Sequence, residues 1–348
     1  MSPTSQAGTF TLQGFSTALA GHSAPVTKVA WSPDGQLLAT TAGDWDSPDP
    51  TVRLWRVDGG LVKVLTGHTA PVISLAWSPD GRLLASGSLD TTVRLWLADG
   101  TLVATLRSPD QVVALAWSPD GQILVSASAP TLNPVVRLWR RDGTPLRALS
   151  TQYTGGKFYN LAWSPNGKFL LGGAVDYKVW RADGSEMFHL EECSHCTPAW
   201  GAAWSPDSTR WAIGNESGSV DVYDVEGHAI AQMQNEHGNA DALAWSPDGQ
   251  TLAGGDGLNL WRADGTLKVS HASFGRVDAV AWSPNGRLLA SLSTTNGLRL
   301  WSADGKLLAS SPGSVVGIAW TPDDQLLTAE SVGNAINLWH FKPDWPLY

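Results

Sequence analysis

A single unit, typified by residues 67–106, recurs along almost the whole chain. Within it, runs of apolar residues are separated by turn-forming stretches such as Ser78-Pro79-Asp80-Gly81 and Ala98-Asp99-Gly100. Proline fixes φ and glycine tolerates positive φ, so both residues are typical of tight turns between strands. Each unit therefore predicts four short β-strands: Val72 to Trp77, Leu83 to Ser88, Val93 to Trp96 and Leu102 to Leu106.

Two series of aromatic residues count the units. The first strand of each unit ends in a tryptophan, at Trp31, Trp77, Trp117, Trp163, Trp204, Trp245, Trp282 and Trp320. The third strand carries a second aromatic residue, at Trp55, Trp96, Trp139, Trp180, Tyr223, Trp261, Trp301 and Trp339. Large rings dominate packing between sheets, so we expect these side chains in the core. One four-stranded sheet cannot cover both of its faces, so the eight units must stack, and radial stacking gives a propeller.

The unit resembles the WD40 repeat at three places: Gly67-His68, Ser78-Pro79-Asp80-Gly81 and Val93-Arg94-Leu95-Trp96. The resemblance covers residues 15–341. It implies an all-β fold, an eight-bladed WD40 β-propeller with four-stranded antiparallel blades. We predict one such domain over residues 1–348, with residues 342–348 as a C-terminal tail.

The last blade needs an outer strand from elsewhere in the chain. Only residues 340–348 follow Trp339, and their two prolines make a poor strand. Phe15 to Leu19 stands before Gly21-His22 as Leu61 to Leu65 stands before Gly67-His68. We therefore predict that Phe15 to Leu19 pairs with Ala335 to His340 and closes the ring.

Histidine, aspartate and tryptophan recur together in the first two blades, as His22, Asp49 and Trp55 and as His68, Asp90 and Trp96. A strand-two serine, either Ser86 or Ser88, completes the second set. The family resemblance implies buried hydrogen-bond chains that end on the tryptophan indole. A catalytic triad would need an exposed nucleophile and oxyanion donors, so we predict that the chain is not an enzyme.

Composition limits the partners and the location. The net charge is −9 and the pI about 5.3, without a cluster of lysine and arginine, which argues against nucleic acid. Neither a signal peptide nor a long apolar run is present, so we expect a cytoplasmic protein that has no membrane partner. We expect no cofactor and a monomeric state.

Cys193-Ser194-His195-Cys196, with His189 upstream, is the one cluster with the residue types of a metal site. Structural zinc takes four ligands, and a Cys-x-x-Cys pair supplies two. Without a second such pair we predict no metal site here. A metal-binding role and a local disulfide or redox pair stay open as alternatives.

The spacing between the two aromatic series varies because the connection between strands two and three varies in length. In blade 1 this loop is residues 43–50, and in blade 3 it is residues 129–134. We call the side of the ring that carries these connections and the loops before strand one the loop face, and the opposite side the turn face. Variable loops on a rigid scaffold are the usual place for recognition.

We expect the loop face to bind a protein or peptide, because aromatic and arginine side chains are the usual anchors of interfaces. The candidate residues are Trp45, Asp46, Tyr153, Lys157, Phe158, Tyr159, Trp200, Asp241, Phe274, Arg276 and Asp278. Phe158, Tyr159 and Trp200 have an alternative role as plugs of the channel mouth. The predicted function is a non-catalytic scaffold. The alternatives are a small-molecule or metal sensor at the channel mouth and a structural assembly subunit.

Overall fold

The computed structural model describes residues 17–129, 135–150, 160–173, 177–190, 199–215, 218–234, 239–271, 275–293, 295–332 and 334–341. These residues form eight separate four-stranded antiparallel sheets, which are the eight predicted blades. No helix occurs in these ranges. The predicted all-β, eight-bladed fold is confirmed.

The first strand, β1, is Thr17–Ala20, and the next sixteen strands form blades 1 to 4 in chain order. Blade 1 is β2 to β5: Val26–Trp31, Leu37–Gly43, Pro48–Arg56 and Leu61–Leu65. Blade 2 is β6 to β9: Val72–Trp77, Leu83–Ser88, Thr92–Leu97 and Leu102–Arg107. Blade 3 is β10 to β13: Gln111–Trp117, Ile123–Ala129, Val135–Arg140 and Pro145–Ser150. Blade 4 is β14 to β17: Asn160–Trp163, Phe169–Gly173, Tyr177–Arg181 and Glu186–Leu190.

Blades 5 to 8 repeat the arrangement. Blade 5 is β18 to β21: Ala199–Trp204, Arg210–Asn215, Ser219–Asp224 and Ala229–Gln234. Blade 6 is β22 to β25: Leu243–Trp245, Thr251–Gly254, Asn259–Arg262 and Leu267–Ser270. Blade 7 is β26 to β29: Ala279–Trp282, Leu288–Ser293, Gly297–Ser302 and Leu307–Ser311. Blade 8 is β30 to β32 with β1: Val315–Trp320, Leu326–Val332, Ala335–Phe341 and Thr17–Ala20.

A segment near the start of the sequence closes blade 8, as predicted, although β1 runs to Ala20 rather than ending at Leu19, and Phe15 lies outside the described residues. β1 pairs antiparallel with β32, with Thr17 opposite Leu338 and Ala20 opposite Ala335. Leu19 is 1% exposed and packs in one core cluster with residues of blades 1 and 8. Ring closure therefore combines backbone hydrogen bonds with burial of one leucine.

The first strand of each blade lies innermost and contacts the first strands of its neighbours, so these strands surround a central channel. Their tryptophans also join consecutive blades. The indole N–H of Trp77 donates to the carbonyl oxygen of Ala30 in the preceding blade at 3.0 Å, and Trp117 donates to Ala76 at 3.1 Å. The same bond recurs from Trp204, Trp282 and Trp320. At these five junctions the tryptophan therefore joins two blades as well as filling the core, whereas the indole nitrogens of Trp31, Trp163 and Trp245 are buried without a hydrogen-bond partner among the described residues.

The predicted loop of blade 1, residues 43–50, is shorter in the structure. β4 begins at Pro48, which pairs with Gly43, so residues 44–47 alone connect the two strands. The Asp44 carboxylate accepts from the backbone N–H of Asp46 at 3.0 Å and of Ser47 at 2.9 Å, which tightens the turn. Prolines are tolerated at this end of β4 because β5 pairs with β4 only from Val52 onward.

Candidate functional site

The turn face is built from one local motif that recurs from blade to blade. In blade 2 the Ser78 hydroxyl donates to Asp80 at 2.6 Å and accepts from the backbone N–H of Leu83 at 2.9 Å. The bond from Ser78, with others from the backbone N–H of Arg82 and the side chain of Arg141, lowers the pKa of Asp80 to about 2. Equivalent serine–aspartate bonds occur at Ser32, Ser118, Ser205 and Ser246. The turn face therefore has much the same backbone in every such blade.

On the loop face, blade 1 carries a buried chain of four side chains. The indole N–H of Trp55 lies 2.9 Å from Thr40 Oγ1, which lies 2.8 Å from His22 Nε2. His22 Nδ1 lies 2.9 Å from Asp49 Oδ2. A proton on Nδ1 lets each group donate to the next, from Trp55 through Thr40 and His22 to Asp49. Asp49 also accepts from Ser23 N–H at 3.0 Å, which fixes the loop before β2.

Blade 2 repeats this chain with serine in place of threonine. Trp96 Nε1 lies 2.9 Å from Ser86 Oγ, Ser86 lies 2.8 Å from His68 Nε2, and His68 Nδ1 lies 2.8 Å from Asp90 Oδ2. Ser86 is thus the hydroxyl of the chain. Ser88 bonds the carbonyl oxygens of Ala70 and Pro71 instead.

Trp45 lies at the tip of the turn between β3 and β4 and is 64% exposed. Its neighbours Asp44 and Asp46 are exposed as well. Because the Asp44 carboxylate holds the turn at two backbone N–H groups, the loop presents the indole from a fixed backbone. Trp45 is the most exposed of the large apolar side chains that the structure describes, and tryptophan is a residue type enriched at the energetic centre of interfaces.

Three other candidate residues come together between blades 6 and 7. Arg276 Nη2 lies 3.0 Å from Asp241 Oδ2, and Arg276 Nε lies 3.1 Å from Asp278 Oδ1. The arginine side chain is 62% exposed, whereas those of Asp241 and Asp278 are 9% and 20% exposed. The two carboxylates therefore orient a solvent-facing guanidinium group on the loop face. Trp45 is on blade 1, so blade 8 separates it from this cluster.

Comparison with known proteins agrees with this geometry. A family model described as the IFT122 first beta-propeller matches residues 47–255, more than half of the chain. The model of the WD domain, G-beta repeat, matches residues 14–56 and 265–302. The chain belongs to the WD40-repeat β-propeller family.

Solved structures similar to this WD40 propeller include Sqt1 from Chaetomium thermophilum. One Sqt1 structure has a TM-score of 0.82 at 18% identity and covers 95% of this chain and 100% of that chain. Another, of Sqt1 bound to the N-terminus of the ribosomal protein L10, has a TM-score of 0.80 at 20% identity, covering 93% and 98%. Identities this low establish a shared fold.

A curated relative is the meiotic fizzy-related protein 1 of Schizosaccharomyces pombe. It is 24% identical over 120 residues, which are 34% of this chain and 28% of that protein. The match thus spans less than a third of the relative's length.

The histidine–aspartate pairs of the propeller are buried, and each combines a neutral imidazole with an ionised carboxylate. Burial lowers the pKa of His22 and of His68, although Asp49 and Asp90 act in the opposite direction. Burial alone would raise the pKa of Asp49, but hydrogen bonds from Thr51, Ser23 and His22 hold it well below its usual value. Each histidine side chain is 1% exposed, so these chains stabilise the loop face and offer no atom to a substrate.

Among the described residues, one group has the donor atoms of a metal site: Asp224, Glu226 and His228, all within 4.8 Å of one another. They lie in the exposed hairpin between β20 and β21. His228 Nδ1 bonds Asp224 Oδ2 at 2.9 Å, and this bond raises the pKa of the imidazole. A proton therefore competes with any metal at this hairpin.

Several sequence candidates cannot be placed. Tyr153, Lys157, Phe158, Tyr159 and Phe274, and the segment from Cys193 to Cys196, lie outside the described residues. Trp200 lies in β18 between Ala199 and Gly201, where the pairing with β19 shifts register, and its side chain is not described. His189 lies in β17 opposite Lys178.

Two structural roles were missed by the sequence reasoning. Thr40 completes the blade 1 chain, and its alignment with Ser86 in the repeat is the signal that identifies it. The indole bonds between blades were also missed, because their acceptors are backbone carbonyl oxygens, which leave no signal in the sequence. In the described part of the propeller, no helix is long and apolar enough to cross a bilayer.

Proposed function

We propose that this WD40 propeller is a non-catalytic scaffold that binds a protein or peptide through its loop face. The observation that carries the proposal is Trp45, a large indole held 64% exposed on a tight, hydrogen-bonded turn. Tryptophan and arginine are the residue types most often found at the energetic centre of interfaces. Arg276, oriented by two carboxylates, supplies the second such anchor.

The charges of the loop face favour a basic partner segment. Asp44 and Asp46 flank Trp45 and are both exposed, and the whole chain has a net charge of −9. Carboxylates beside an apolar anchor attract lysine or arginine next to an apolar side chain. The solved complex of Sqt1 with the N-terminus of a ribosomal protein shows that a propeller of this fold can hold a peptide segment.

The test is selection from a displayed library of random peptides, followed by affinity measurement. The loop-face variant is Trp45→Ala with Arg276→Ala. A matched control is Leu102→Ala, because Leu102 is also large and 43% exposed but lies on the outer strand β9. We expect selected peptides to bind the loop-face variant at least about tenfold more weakly than the wild type, and to bind the control as the wild type does. Equal affinity for all three proteins would reject the loop face as the docking surface.

The channel supports the small-molecule alternative. A cavity of about 270 Å³ lies among the innermost strands of blades 1 to 4, and Lys28, Ser74 and Asn160 are its polar lining. A failure to select any peptide, together with a ligand-dependent rise in melting temperature that Lys28→Ala removes, would favour a sensor over a scaffold.

A further inference from the structure

A groove of about 580 Å³ lies between blades 5 and 6, at the outer rim of the turn face. Its cationic lining consists of Arg210 at the start of β19, Arg262 at the end of β24 and Lys268 in β25. Ile230 of β21, 45% exposed, forms an apolar part of the wall. Asp264 is the acidic residue of the lining, so cations outnumber carboxylates there by three to one.

The groove between blades 2 and 3 occupies the equivalent place and provides a comparison within the molecule. There the lining includes Leu83, Ile123 and Leu146, together with Arg140, Arg141 and Asp142. Arg140 matches Arg262, and Ala263 stands where blade 3 has Arg141, so the groove between blades 5 and 6 has three cations against two. Leu83 and Ile123 begin the second strands of their blades, and Leu146 is the second residue of the fourth strand. The residues at the same positions around the groove of blades 5 and 6 are Arg210, Thr251 and Lys268. Two apolar side chains are replaced by cations and one by a hydroxyl.

Arg210 and Lys268 occupy positions of the repeat that are apolar in almost every other blade. The second strands of the other blades begin with Leu37, Leu83, Ile123, Phe169, Thr251, Leu288 and Leu326. The second residues of the other fourth strands in blades 1 to 7 are Val62, Val103, Leu146, Met187, Ile230 and Leu308. Arg210 and Lys268 are far apart in sequence, yet both departures line the same groove. Packing of the blade does not require either cation, since the other blades pack without one.

The cations are held in place but keep donors for a ligand. Arg210 Nη1 donates to the carbonyl oxygen of Ala263 at 3.2 Å, and Lys268 Nζ donates to Thr251 Oγ1 at 3.1 Å. Arg262 Nη1 donates to Thr266 Oγ1 at 3.3 Å. A guanidinium group has five N–H donors and an ammonium group three, so most donors of all three side chains are left over.

Asp264, which lines the groove, and Asp207 and Asp248 beside it are engaged in their own turns. Asp264 Oδ1 accepts from Thr266 N–H at 2.9 Å and from Thr266 Oγ1 at 2.7 Å. Asp207 accepts from the hydroxyl group of Ser205, and its pKa is lowered by this bond and in part by the charge of Arg210. Asp248 accepts from the hydroxyl group of Ser246, and its pKa is lowered by this bond and in part by the charge of Lys268. Within the described ranges, no carboxylate oxygen lies within 4.0 Å of a charged nitrogen of Arg210, Arg262 or Lys268. These cations are therefore available to an outside anion.

We propose that the groove between blades 5 and 6 binds an acidic peptide segment of a partner protein, with glutamate or aspartate on Arg210, Arg262 and Lys268 and an apolar residue against Ile230. Arginine pairs with carboxylates through two parallel hydrogen bonds, which gives both strength and orientation. The exposed isoleucine favours a peptide over a free inorganic anion, which has nothing to place on an apolar wall. This site lies on the face opposite Trp45 and does not depend on the scaffold function proposed above.

The test uses fluorescence anisotropy with a fluorescein-labelled peptide of sequence Glu-Glu-Leu-Glu-Glu-Leu-Glu. The groove variant is Arg210→Leu with Lys268→Leu, because leucine is the residue that several other blades carry at these positions and the fold is expected to tolerate it. The control is Lys63→Ala with Lys306→Thr, which also removes two cations and replaces each with a residue found at the same place in other blades. Both variants thus change the net charge from −9 by −2 to −11.

We expect the wild type and the control to bind the peptide alike and the groove variant to bind it at least about tenfold more weakly. Binding should weaken as salt rises from about 50 mM to about 300 mM, because exposed charges are screened. Equal losses in both variants would show an effect of net charge alone and overturn the proposal. Loss of binding in Trp45→Ala with Arg276→Ala would place the peptide on the loop face and overturn it as well. Tight binding of inorganic phosphate or ATP at these residues, without binding of the peptide, would overturn the assignment to a peptide.

Discussion

Blade 2 and blade 8 are the same four-stranded sheet held together in different ways. The strands of blade 2 are consecutive in sequence, and a buried chain from Trp96 to Asp90 ties its third strand to the loop before its first. The outer strand of blade 8 comes from the other end of the sequence. Its attachment consists of the β1–β32 ladder and the buried Leu19. A side-chain network thus serves the continuous blade, and the composite blade depends on strand pairing and one apolar contact.

Deletion of β1 should have the largest effect on stability, because blade 8 depends on this strand and blade 2 does not. Deletion of residues 1–20 exposes the edge of β32 and removes Leu19 from the core, and burial of one leucine alone is worth roughly 2–5 kcal/mol. We expect the melting temperature to fall by on the order of 5–10 °C. Leu19→Ala, which keeps the backbone ladder, should give a smaller fall. Thermal unfolding followed by circular dichroism measures both, and an unchanged melt after the deletion would contradict the role of β1 in closure.

Loss of the hydrogen-bond chain of blade 2 should lower the free energy of unfolding less than loss of β1, but more than loss of any exposed contact. His68→Ala leaves Asp90 and Ser86 buried without their shared partner, which costs about 2–4 kcal/mol. The matched change on the approach to blade 8 is Ser311→Ala, at the end of β29 in blade 7, which stands at the same distance before the first-strand tryptophan of blade 8. The Ser311 hydroxyl makes an exposed bond to Pro312, so its loss should be nearly neutral. Urea unfolding compares the two, and equal costs would contradict a specific role for the chain.

Sequence reasoning predicted the global features because the repeat period encodes them. Leu19 was found by aligning the residues before Gly21-His22 with those before Gly67-His68, and this alignment holds wherever one unit is repeated. The period also placed the aromatic core and the histidine–aspartate pairs. These features depend on positions within a blade, which the repeat reports directly.

Features that depend on two blades, or on the exact end of a strand, could not be predicted from the sequence. The start of β4 at Pro48 follows from an Asp44 turn and from the short reach of β5, and neither has a signature in the period. Arg210 and Lys268 lie on different blades, so their convergence becomes visible only when the blades are assembled. Thr40 was missed because threonine replaces the serine of the other blade.

Acid should weaken blades 1 and 2 but not the closure of blade 8, and this is the smallest of the three effects. The pKa of His22 and of His68 is lower in the folded protein than the ordinary 6.5, so the unfolded chain binds more protons once the pH falls below 6.5. Folding stability is therefore complete above that pH and declines as the pH falls from 6.5 toward the folded-state value. The lowered pKa of Asp49 adds a second decline only below 3.8.

Melting temperatures at about pH 7.5 and about pH 5.5 compare the two protonation states of His22 and His68, because Asp49 and Asp90 stay ionised over this interval. We expect the wild type to lose less than about 5 °C, and His22→Gln with His68→Gln to lose less than the wild type. The double variant will be less stable at both pH values. The quantity to compare is therefore the melting temperature at the higher pH minus that at the lower pH, taken for each protein separately. Because β1 and β32 are joined by backbone hydrogen bonds and Leu19, Leu19→Ala should show the same pH difference as the wild type. Identical pH differences in the wild type and the histidine variant would show that protonation of these two residues is not what weakens the propeller in acid.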